Sequence, residues 1–269
     1  MSQAGVLLFR GLNTYGDDIL HVGPMNFGES YRHWIKALRG AAVRNTWETL
    51  PVLTMGSGRM PDMVERSKQY LRNSPDWKDT DRKFHILAHS TGGVVARALV
   101  HDPEIQRRIL SLTTVGAPHM GAAAGVRAEQ VHPSVRSMLK TFGYDLEQRK
   151  VYFKDLLPDS MNAFNERYPN VAGIRYASIL AEKPPAGPSL PMHFLEMSIG
   201  YFNEPSDGLI PVASQRWGEI LGHVQMDHLE LAGFCFHFKP AARRRFHSEW
   251  KRFFSLLEDY WLRVPATFL

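Results

Sequence analysis

Residues 83–97 have the sequence KFHILAHSTGGVVAR, in which an apolar run ends at a serine among small residues and a segment of helical composition follows. This pattern predicts a strand, a very tight turn and a helix, with Ser90 at the apex. Ala88 and Gly92 are small enough for the close approach that such a turn requires. The turn would hold the Ser90 hydroxyl away from its own backbone, as a serine nucleophile requires. The alternative is a buried serine that caps the following helix.

Strand and helix patterns alternate on both sides of this turn. Uninterrupted apolar runs predict buried strands, and apolar residues at helical spacing predict helices. Such alternation is typical of a mostly parallel sheet that is covered by helices on both faces. The predicted strands are 6–9, 47–53, 84–89, 109–115 and 174–180, and the predicted helices are 30–38, 63–71, 91–100 and 248–261.

The segment between His119 and about Asn170 breaks this alternation. It contains amphipathic pieces, such as 135–142 and 151–157, but no strand pattern. We expect a helical insertion that lies over the sheet, within a single domain that spans residues 1–269. Its many apolar side chains would line or cover a pocket, and the alternative is a helical cap that only covers the sheet.

The charge distribution bears on the partners of the chain. The formal net charge is +5, and 44% of the residues are hydrophobic. Spread charge gives no reason to expect a nucleic-acid partner, whereas a basic cluster is compatible with an anionic surface. Basic residues are spread along the chain except near the C-terminus, where they form a cluster of Arg243, Arg244, Arg245, Lys251 and Arg252.

Cysteine usage and hydropathy bear on the compartment. The single cysteine, Cys235, excludes an intramolecular disulfide. No stretch approaches the roughly 18 consecutive apolar residues that span a bilayer, and the N-terminus lacks the pattern of a signal peptide. We therefore expect a chain that acts in the cytoplasm without an obligate protein partner. A processed precursor or export without a signal is the alternative.

A serine nucleophile needs a histidine base and an acid that orients the histidine. In a parallel sheet such groups lie on loops that follow the carboxyl ends of strands. Asp207 stands at a turn before Gly208, and His228 follows about twenty positions later, so the chain order is Ser, Asp, His. A turn cap at Asp207 and a helix start at His228 are the alternatives. Asp227 is a second candidate acid, although a residue seldom reaches the ring of its neighbour.

The oxyanion of a tetrahedral intermediate needs backbone N–H donors. The amide of Thr91 stands at the start of the predicted helix, where amides are free and the helix dipole favours negative charge. The second donor normally comes from the loop after the first core strand, which indicates Leu12. We expect His89, which precedes the serine, to point to the opposite side of the turn.

Four blocks of sequence occur in an order that is typical of one known family. By these blocks the chain resembles a bacterial lipase of the α/β-hydrolase superfamily. The blocks are LLFRGLN at 7–13, ILAHSTGGVVAR at 86–97, LTTVGAPHMGA at 112–122, and SDGLIPVASQRWG with MDHLEL within 206–231.

This resemblance implies an α/β-hydrolase fold in which the insertion at 119–170 is a lid. The implied activity is hydrolysis of lipid-like carboxylic esters through an acyl-serine intermediate, without a cofactor and with transient contact with a lipid interface. Acyl transfer or thioester hydrolysis by the same triad, and a catalytically silent binding protein, are the alternatives. The implied site residues are Ser90, Asp207 and His228 as the catalytic triad and Leu12 and Thr91 as the oxyanion donors.

Two positions depart from the pattern of this family. The family usually has a histidine where this chain has Arg10, in the loop that carries Leu12. Relatives of the Pseudomonas type also hold a structural calcium ion, through an acid two residues after the catalytic histidine and a second acid before the catalytic acid. Glu230 fits the first position, but the loop at 184–189 offers no second acid. We therefore expect no metal, because calcium takes about six to eight oxygen ligands.

Overall fold

Six parallel strands form the central sheet of the protein, which is represented here by a computed structural model. The sheet has the strand order β4-β1-β5-β6-β7-β8. Two further strands, β2 and β3, form a separate antiparallel ribbon. The strands are β1 (Gly5–Phe9), β2 (Ile19–Val22), β3 (Met25–Glu29), β4 (Glu48–Leu53), β5 (Phe84–His89), β6 (Ile109–Val115), β7 (Arg175–Glu182) and β8 (Glu219–Gln225). The structure describes residues 4–11, 19–22, 25–29, 31, 33–38, 48–53, 59–122, 131, 133, 136–137, 153–199 and 204–264.

Helices cover the sheet, and a short 3-10 turn, Pro75–Trp77, precedes β5. Among the described helices, none combines the length and the apolar character needed to cross a bilayer. The helices are α1 (33–38), α2 (Met60–Asn73), α3 (Thr91–Leu99), α4 (Pro103–Gln106), α5 (Pro158–Arg167), α6 (Leu190–Ile199), α7 (His228–Leu231) and α8 (Pro240–Leu262).

Side chains that alternate along β1 belong to two different cores, because successive strand residues point to opposite faces. Leu7 and Phe9 pack in a core with residues of α2 and α3. Val6 and Leu8 pack in a second core with residues of α8. Strands β1, β5 and β6 are buried along their whole length, which explains why their sequences are mostly apolar and carry no charged residue. The predicted class, a mostly parallel sheet flanked by helices, is confirmed.

Several elements of the fold were not predicted from the sequence, among them β2, β3, α4, β8 and α6. Strand β8 is an edge strand in which every residue except the buried Val224 is half-exposed or exposed, so its sequence, EILGHVQ, contains no continuous apolar run. Helix α6 follows a proline-rich loop that obscures its start, and Pro191 is tolerated there because it lies in the first turn. The last helix also begins at Pro240, earlier than the predicted start at 248.

Only part of the predicted insertion at 119–170 belongs to the described residues. That part contains α5, and residues 138–152, which include 138–142 and 151–152 of the predicted amphipathic pieces, lie outside it. The buried Arg97 fixes α5 to α3. Its guanidinium donates to Asn165 Oδ1 at 2.8 Å and to the Tyr168 carbonyl oxygen at 3.0 Å. The described part of the insertion therefore contains a helix in contact with α3, and its function as a cap or lid stays a prediction.

A buried histidine in β5 makes the stability of this fold depend on pH. His85 hydrogen-bonds through Nδ1 to Ser111 Oγ at 2.8 Å, and its ring stacks on Trp261. Burial lowers the pKa of His85 to about 4, whereas an unfolded histidine has a pKa of about 6.5. As the pH falls, the unfolded state therefore binds this proton first, and the free energy of unfolding decreases between about pH 6.5 and pH 4.

We expect His85→Phe to remove this contribution, because phenylalanine keeps a ring on Trp261 but does not titrate. Between pH 7 and pH 5, the parent should lose about 2 kcal/mol more unfolding free energy than the variant. Urea unfolding of both proteins at both pH values measures this difference. The cost of losing the Ser111 hydrogen bond is present at both pH values and cancels. An identical pH dependence in the two proteins would contradict a neutral, buried His85.

Candidate active site

Ser90 lies between β5 and α3 in a backbone conformation that is strained for a residue with a side chain, with φ of 55° and ψ of −135°. Its N–H donates to the Val115 carbonyl oxygen at 2.9 Å, which ties the turn to β6. Ser90 occupies the N-cap position of α3, but its hydroxyl makes no capping hydrogen bond. The capping alternative therefore does not explain this serine, and the hydroxyl is available for another partner.

Gly92, two residues after Ser90, allows the start of α3 to lie directly on the loop after β1. A Cβ atom at this position would lie 2.5 Å from the Arg10 carbonyl oxygen and 2.8 Å from the Phe9 carbonyl oxygen. Both partners are backbone atoms that cannot move aside, so only glycine fits. The small-residue requirement that the sequence indicates thus arises from contact with a neighbouring loop as well as from the turn itself.

The hydroxyl of Ser90 meets the ring of His228, which is 138 positions away in the chain. His228 Nε2 lies 2.9 Å from Ser90 Oγ, and His228 Nδ1 lies 2.8 Å from Asp207 Oδ2. Asp207 is fully buried, and the other two side chains are almost fully buried. With Asp207 ionised, Nδ1 donates its proton to the carboxylate, and Nε2 can accept the proton of the Ser90 hydroxyl.

Asp207 also caps its own turn, and the same carboxylate contacts His228 through its other oxygen. Its Oδ1 accepts from the N–H of Leu209 at 3.0 Å and of Ile210 at 2.8 Å, while Oδ2 faces His228. The His228 N–H donates to the Asp207 carbonyl oxygen at 2.8 Å. The carboxylate and the imidazole are therefore fixed to each other through both backbone and side-chain contacts.

The alternative acid, Asp227, does not face the imidazole. It caps α7, accepting from the N–H of Leu229 and of Glu230, and its second oxygen accepts from the Ser189 N–H at 2.7 Å. Burial, assisted by the nearby Glu230 carboxylate, raises the pKa of Asp227 to about 6. Asp227 thus sets the start of the short helix whose first residue is His228.

Comparisons of sequence find similarity to two kinds of protein. A family model described as palmitoyl protein thioesterase matches residues 41–166. Triacylglycerol lipase 2 of Saccharomyces cerevisiae is 27% identical over 187 residues, which cover 66% of this chain and 52% of the yeast protein. The match therefore spans about half the length of that curated relative.

Solved structures with the same architecture cover nearly the whole chain. The lipase of Staphylococcus hyicus superposes with a TM-score of 0.68 at 15% identity, covering 98% of this chain and 96% of that one. A metagenomic carboxyl esterase superposes with a TM-score of 0.62 at 17% identity, covering 96% of this chain and 77% of that one. The chain has the α/β-hydrolase fold.

In this α/β-hydrolase fold the candidate residues lie at the carboxyl edge of the sheet, where ligands of parallel sheets bind. Ser90 follows β5, and His228 follows β8. Asp207 follows β7 through a longer segment, which the Lys183 N–H fixes by donating to the Ser206 carbonyl oxygen. Strand order, rather than sequence distance, brings the three residues together.

The structure describes Thr91, one of the two predicted oxyanion donors, but not Leu12, the other. Thr91 directly follows Ser90 in the chain and is the first residue of α3, where the helix offers its N–H no intrahelical acceptor. Leu12 lies outside the described residues, which end at Gly11 in this loop. Thr91 is therefore a described neighbour of Ser90 in the chain, and the roles of both residues as oxyanion donors stay predictions.

Glu230, which stands where relatives of the Pseudomonas type have a calcium ligand, contacts other protein groups. The buried Glu230 carboxylate pairs with the Arg245 guanidinium and with His237 Nε2, and it accepts from the Asp227 N–H at 2.9 Å. Over the described part of the chain, no group of three or more His, Cys, Asp or Glu side chains is arranged to hold a metal ion.

The expectation that His89 points to the opposite side of the turn is wrong. Its ring centroid lies 4.6 Å from that of His228. The Tyr31 hydroxyl contacts both His89 and the loop after β1. Sequence reasoning could not find Tyr31, because it lies 58 positions from His89 and belongs to no recognisable motif.

Proposed function

We propose that this chain hydrolyses carboxylic esters through an acyl-serine intermediate, with Ser90, His228 and Asp207 as its catalytic triad. The observation that carries the proposal is the hydrogen-bonded series from Asp207 Oδ2 through His228 to Ser90 Oγ, with spacings of 2.8 and 2.9 Å. A nucleophile, its base and the group that orients the base must meet in this geometry for acyl transfer. The strained backbone at Ser90 supports the same role, because such strain is concentrated at functional sites.

The reaction begins when Ser90 Oγ attacks the ester carbonyl carbon and His228 Nε2 accepts the hydroxyl proton. Asp207 stabilises the imidazolium by keeping the Nδ1 proton in a hydrogen bond. The bond to the leaving oxygen then breaks, and the alcohol departs with the proton from Nε2. Water attacks the acyl-serine and passes a proton to Nε2, and the proton returns to Ser90 as the carboxylic acid is released.

The oxyanion of both tetrahedral intermediates would be held by the Thr91 amide, with the Leu12 amide as the second donor. The start of α3 favours negative charge at this point, since the first-turn amides and the helix dipole both face it. Each donor of this kind is worth about a hundredfold to a thousandfold in kcat.

Lipid-like acyl esters are the proposed substrates. The apolar side chains of the insertion at 119–170 support this class, as do the relatives named lipases. Hydrolysis of acyl thioesters is a second candidate, favoured by the thioesterase family model over residues 41–166, which include the Ser90 turn. Both reactions use the same acyl-serine, so only the leaving group distinguishes them.

A fluorophosphonate probe and a matched substrate panel test this proposal. The panel contains oxyesters and thioesters with the same short, medium or long acyl chains, with and without an alcohol acceptor. We expect a probe adduct on the peptide that contains Ser90 and hydrolysis of oxyesters. Faster cleavage of thioesters would favour the second candidate, and ester products would indicate acyl transfer. A protein that is not labelled and cleaves neither class would overturn the proposal.

Transient contact with an anionic lipid surface is proposed for the start of α8. Phe238 is 93% exposed there, and the exposed cations Arg243 and Arg244 follow it. The Gln225 carbonyl oxygen at the end of β8 accepts from Arg245, which places this patch at the carboxyl edge of the sheet. Anionic vesicles should therefore co-sediment the protein in a salt-sensitive manner. Equal binding to uncharged vesicles would contradict this. The cytoplasmic location stays a prediction that cell fractionation tests.

A further inference from the structure

A second histidine lies against the proposed base. His89, the last residue of β5, is 2% exposed, and its ring is tilted by 40° against the ring of His228 at a centroid distance of 4.6 Å. This contact covers one side of the imidazole that must reach Ser90 Oγ. Any group that fixes His89 therefore also restricts the orientation of His228.

The Tyr31 hydroxyl connects His89 to the loop after β1. Its oxygen accepts from the Gly11 N–H at 3.0 Å and lies 2.8 Å from His89 Nδ1. Burial raises the pKa of Tyr31 to about 12, so the hydroxyl keeps its proton. The Tyr31 hydroxyl and His89 Nδ1 therefore share one hydrogen bond, whose donor is set by the His89 tautomer.

Gly11, whose N–H the Tyr31 hydroxyl binds in the loop after β1, lies against the nucleophile. A Cβ atom at Gly11 would lie 2.8 Å from Ser90 Cβ and 3.2 Å from Ser90 Oγ. The fixed Gly11 amide therefore sets the position of the chain immediately before Leu12, the predicted second oxyanion donor. A shift of this turn would alter the space in which the carbonyl group of a substrate must sit.

The backbone of Tyr31 is tied to the helix that carries His228. Its N–H donates to the Ala232 carbonyl oxygen, directly after α7, at 2.6 Å, and nearby Trp34 Nε1 donates to the Leu231 carbonyl oxygen at 2.8 Å. Tyr31 holds these contacts at a φ of 61°, which is unfavourable for a tyrosine. One residue thus links the loop after β1, the end of β5 and the end of α7.

A packing role alone does not explain His89. Its Nε2 is buried, and none of the described residues hydrogen-bonds to it, so an apolar ring would pack there at lower cost. Burial, together with the charge on His228, holds the pKa of His89 well below its usual range. A neutral ring beside His228 does not repel the imidazolium that forms when His228 takes the Ser90 proton.

We propose that Tyr31 and His89 form a positioning pair, in which the Tyr31 hydroxyl holds the Gly11 turn against Ser90 and the His89 ring holds the His228 ring towards Ser90 Oγ. Neither residue touches the reacting atoms in this scheme. The inference rests on the proposed function, because it requires Ser90 and His228 to react. It adds two residues that the triad and the oxyanion donors do not include.

Tyr31→Phe is the most direct test, because it removes one oxygen atom and keeps the aromatic packing. We expect kcat for a short-chain ester to fall about 10- to 100-fold, with KM changed less than about twofold, since displacement of reacting groups by about 1 Å costs a factor of that size. The matched control is Tyr176→Phe. The Tyr176 hydroxyl also accepts from one backbone amide, Val171 N–H, but at the amino end of β7, away from the site.

Substitutions of His89 separate the two parts of the role. His89→Leu removes both the ring nitrogen that meets the Tyr31 hydroxyl and the aromatic ring, His89→Asn retains a hydrogen-bonding group for Tyr31, and His89→Phe retains a ring beside His228. We expect the largest fall in kcat for leucine and partial recovery for each of the other two. These variants also decide the question if Tyr31→Phe does not fold.

The outcomes distinguish this inference from the proposed function. Thermal unfolding and circular dichroism establish that each variant is folded, and kcat is expressed per folded protein. A folded Tyr31→Phe with the parent kcat, or with no greater loss than Tyr176→Phe, would overturn the positioning pair while the parent still hydrolyses esters. Equal losses for all three His89 variants would do the same. A parent without activity or probe labelling would overturn the proposed function and the pair with it.

Discussion

Ser90→Ala is expected to lower kcat by about a millionfold, because acyl transfer then has no nucleophile. The protein should still fold. The hydroxyl caps no helix, and its contact is with His228 Nε2, which water can reach as an alternative partner in the cavity that the side chain leaves. Alanine also tolerates the strained backbone no worse than serine does. KM for a soluble ester should change little, since the hydroxyl contributes mainly in the transition state.

The control for this substitution is Ser248→Ala, on the exposed face of α8. We expect it to retain the parent kcat and full labelling by the fluorophosphonate probe, whereas Ser90→Ala should lose the label. Initial rates, intact-protein mass and thermal unfolding are measured for all three proteins. Retention of ester hydrolysis in folded Ser90→Ala would place the nucleophile elsewhere and contradict the triad.

Asp207→Asn is expected to lower kcat by about ten-thousandfold, with little change in overall structure. An asparagine keeps an oxygen for the amides of Leu209 and Ile210 and then presents its NH₂ group to His228. That group donates to Nδ1, which moves the imidazole proton to Nε2, where it can no longer accept the proton of Ser90. The imidazolium also loses the carboxylate that stabilises it.

The comparison that tests this prediction is Asp227→Asn, the same substitution at the other candidate acid. Asp227 caps α7 and does not contact the imidazole. We therefore expect Asp227→Asn to lower thermal stability and to lower kcat far less than Asp207→Asn does. Steady-state kinetics and denaturant unfolding of both variants separate the effects. A larger loss of kcat in Asp227→Asn would assign the orienting acid to Asp227.

Local sequence predicts the parts of the fold in which neighbouring residues share one environment. The buried strands around Ser90 have mostly apolar sequences because both faces of the sheet are covered, and β5 and β6 begin and end where the pattern predicts. The edge strand β8 has one exposed side and mixed composition, and its pattern is therefore weak. The sequence also does not show where helix α6 begins, because a proline-rich loop precedes it.

The candidate triad could be proposed from sequence because loops after parallel strands meet at one edge of the sheet. That rule brings Ser90, Asp207 and His228 together without any knowledge of distances. It could not show that the Asp207 carboxylate both caps its turn and meets the imidazole, because each contact alone is a common role for aspartate. The assignment of catalytic roles stays a prediction that the substitutions above test.

The sequence by itself determined the α/β class, the strained serine turn and the order of the three candidate residues, because these depend on local periodicity and on the rule for strand ends. Only the tertiary structure placed Tyr31 between Gly11 and His89, and His89 beside His228. The reason is physical. Contacts between segments that are far apart in sequence depend on strand order and on the packing of loops at the edge of the sheet, and no local pattern of residues encodes either one.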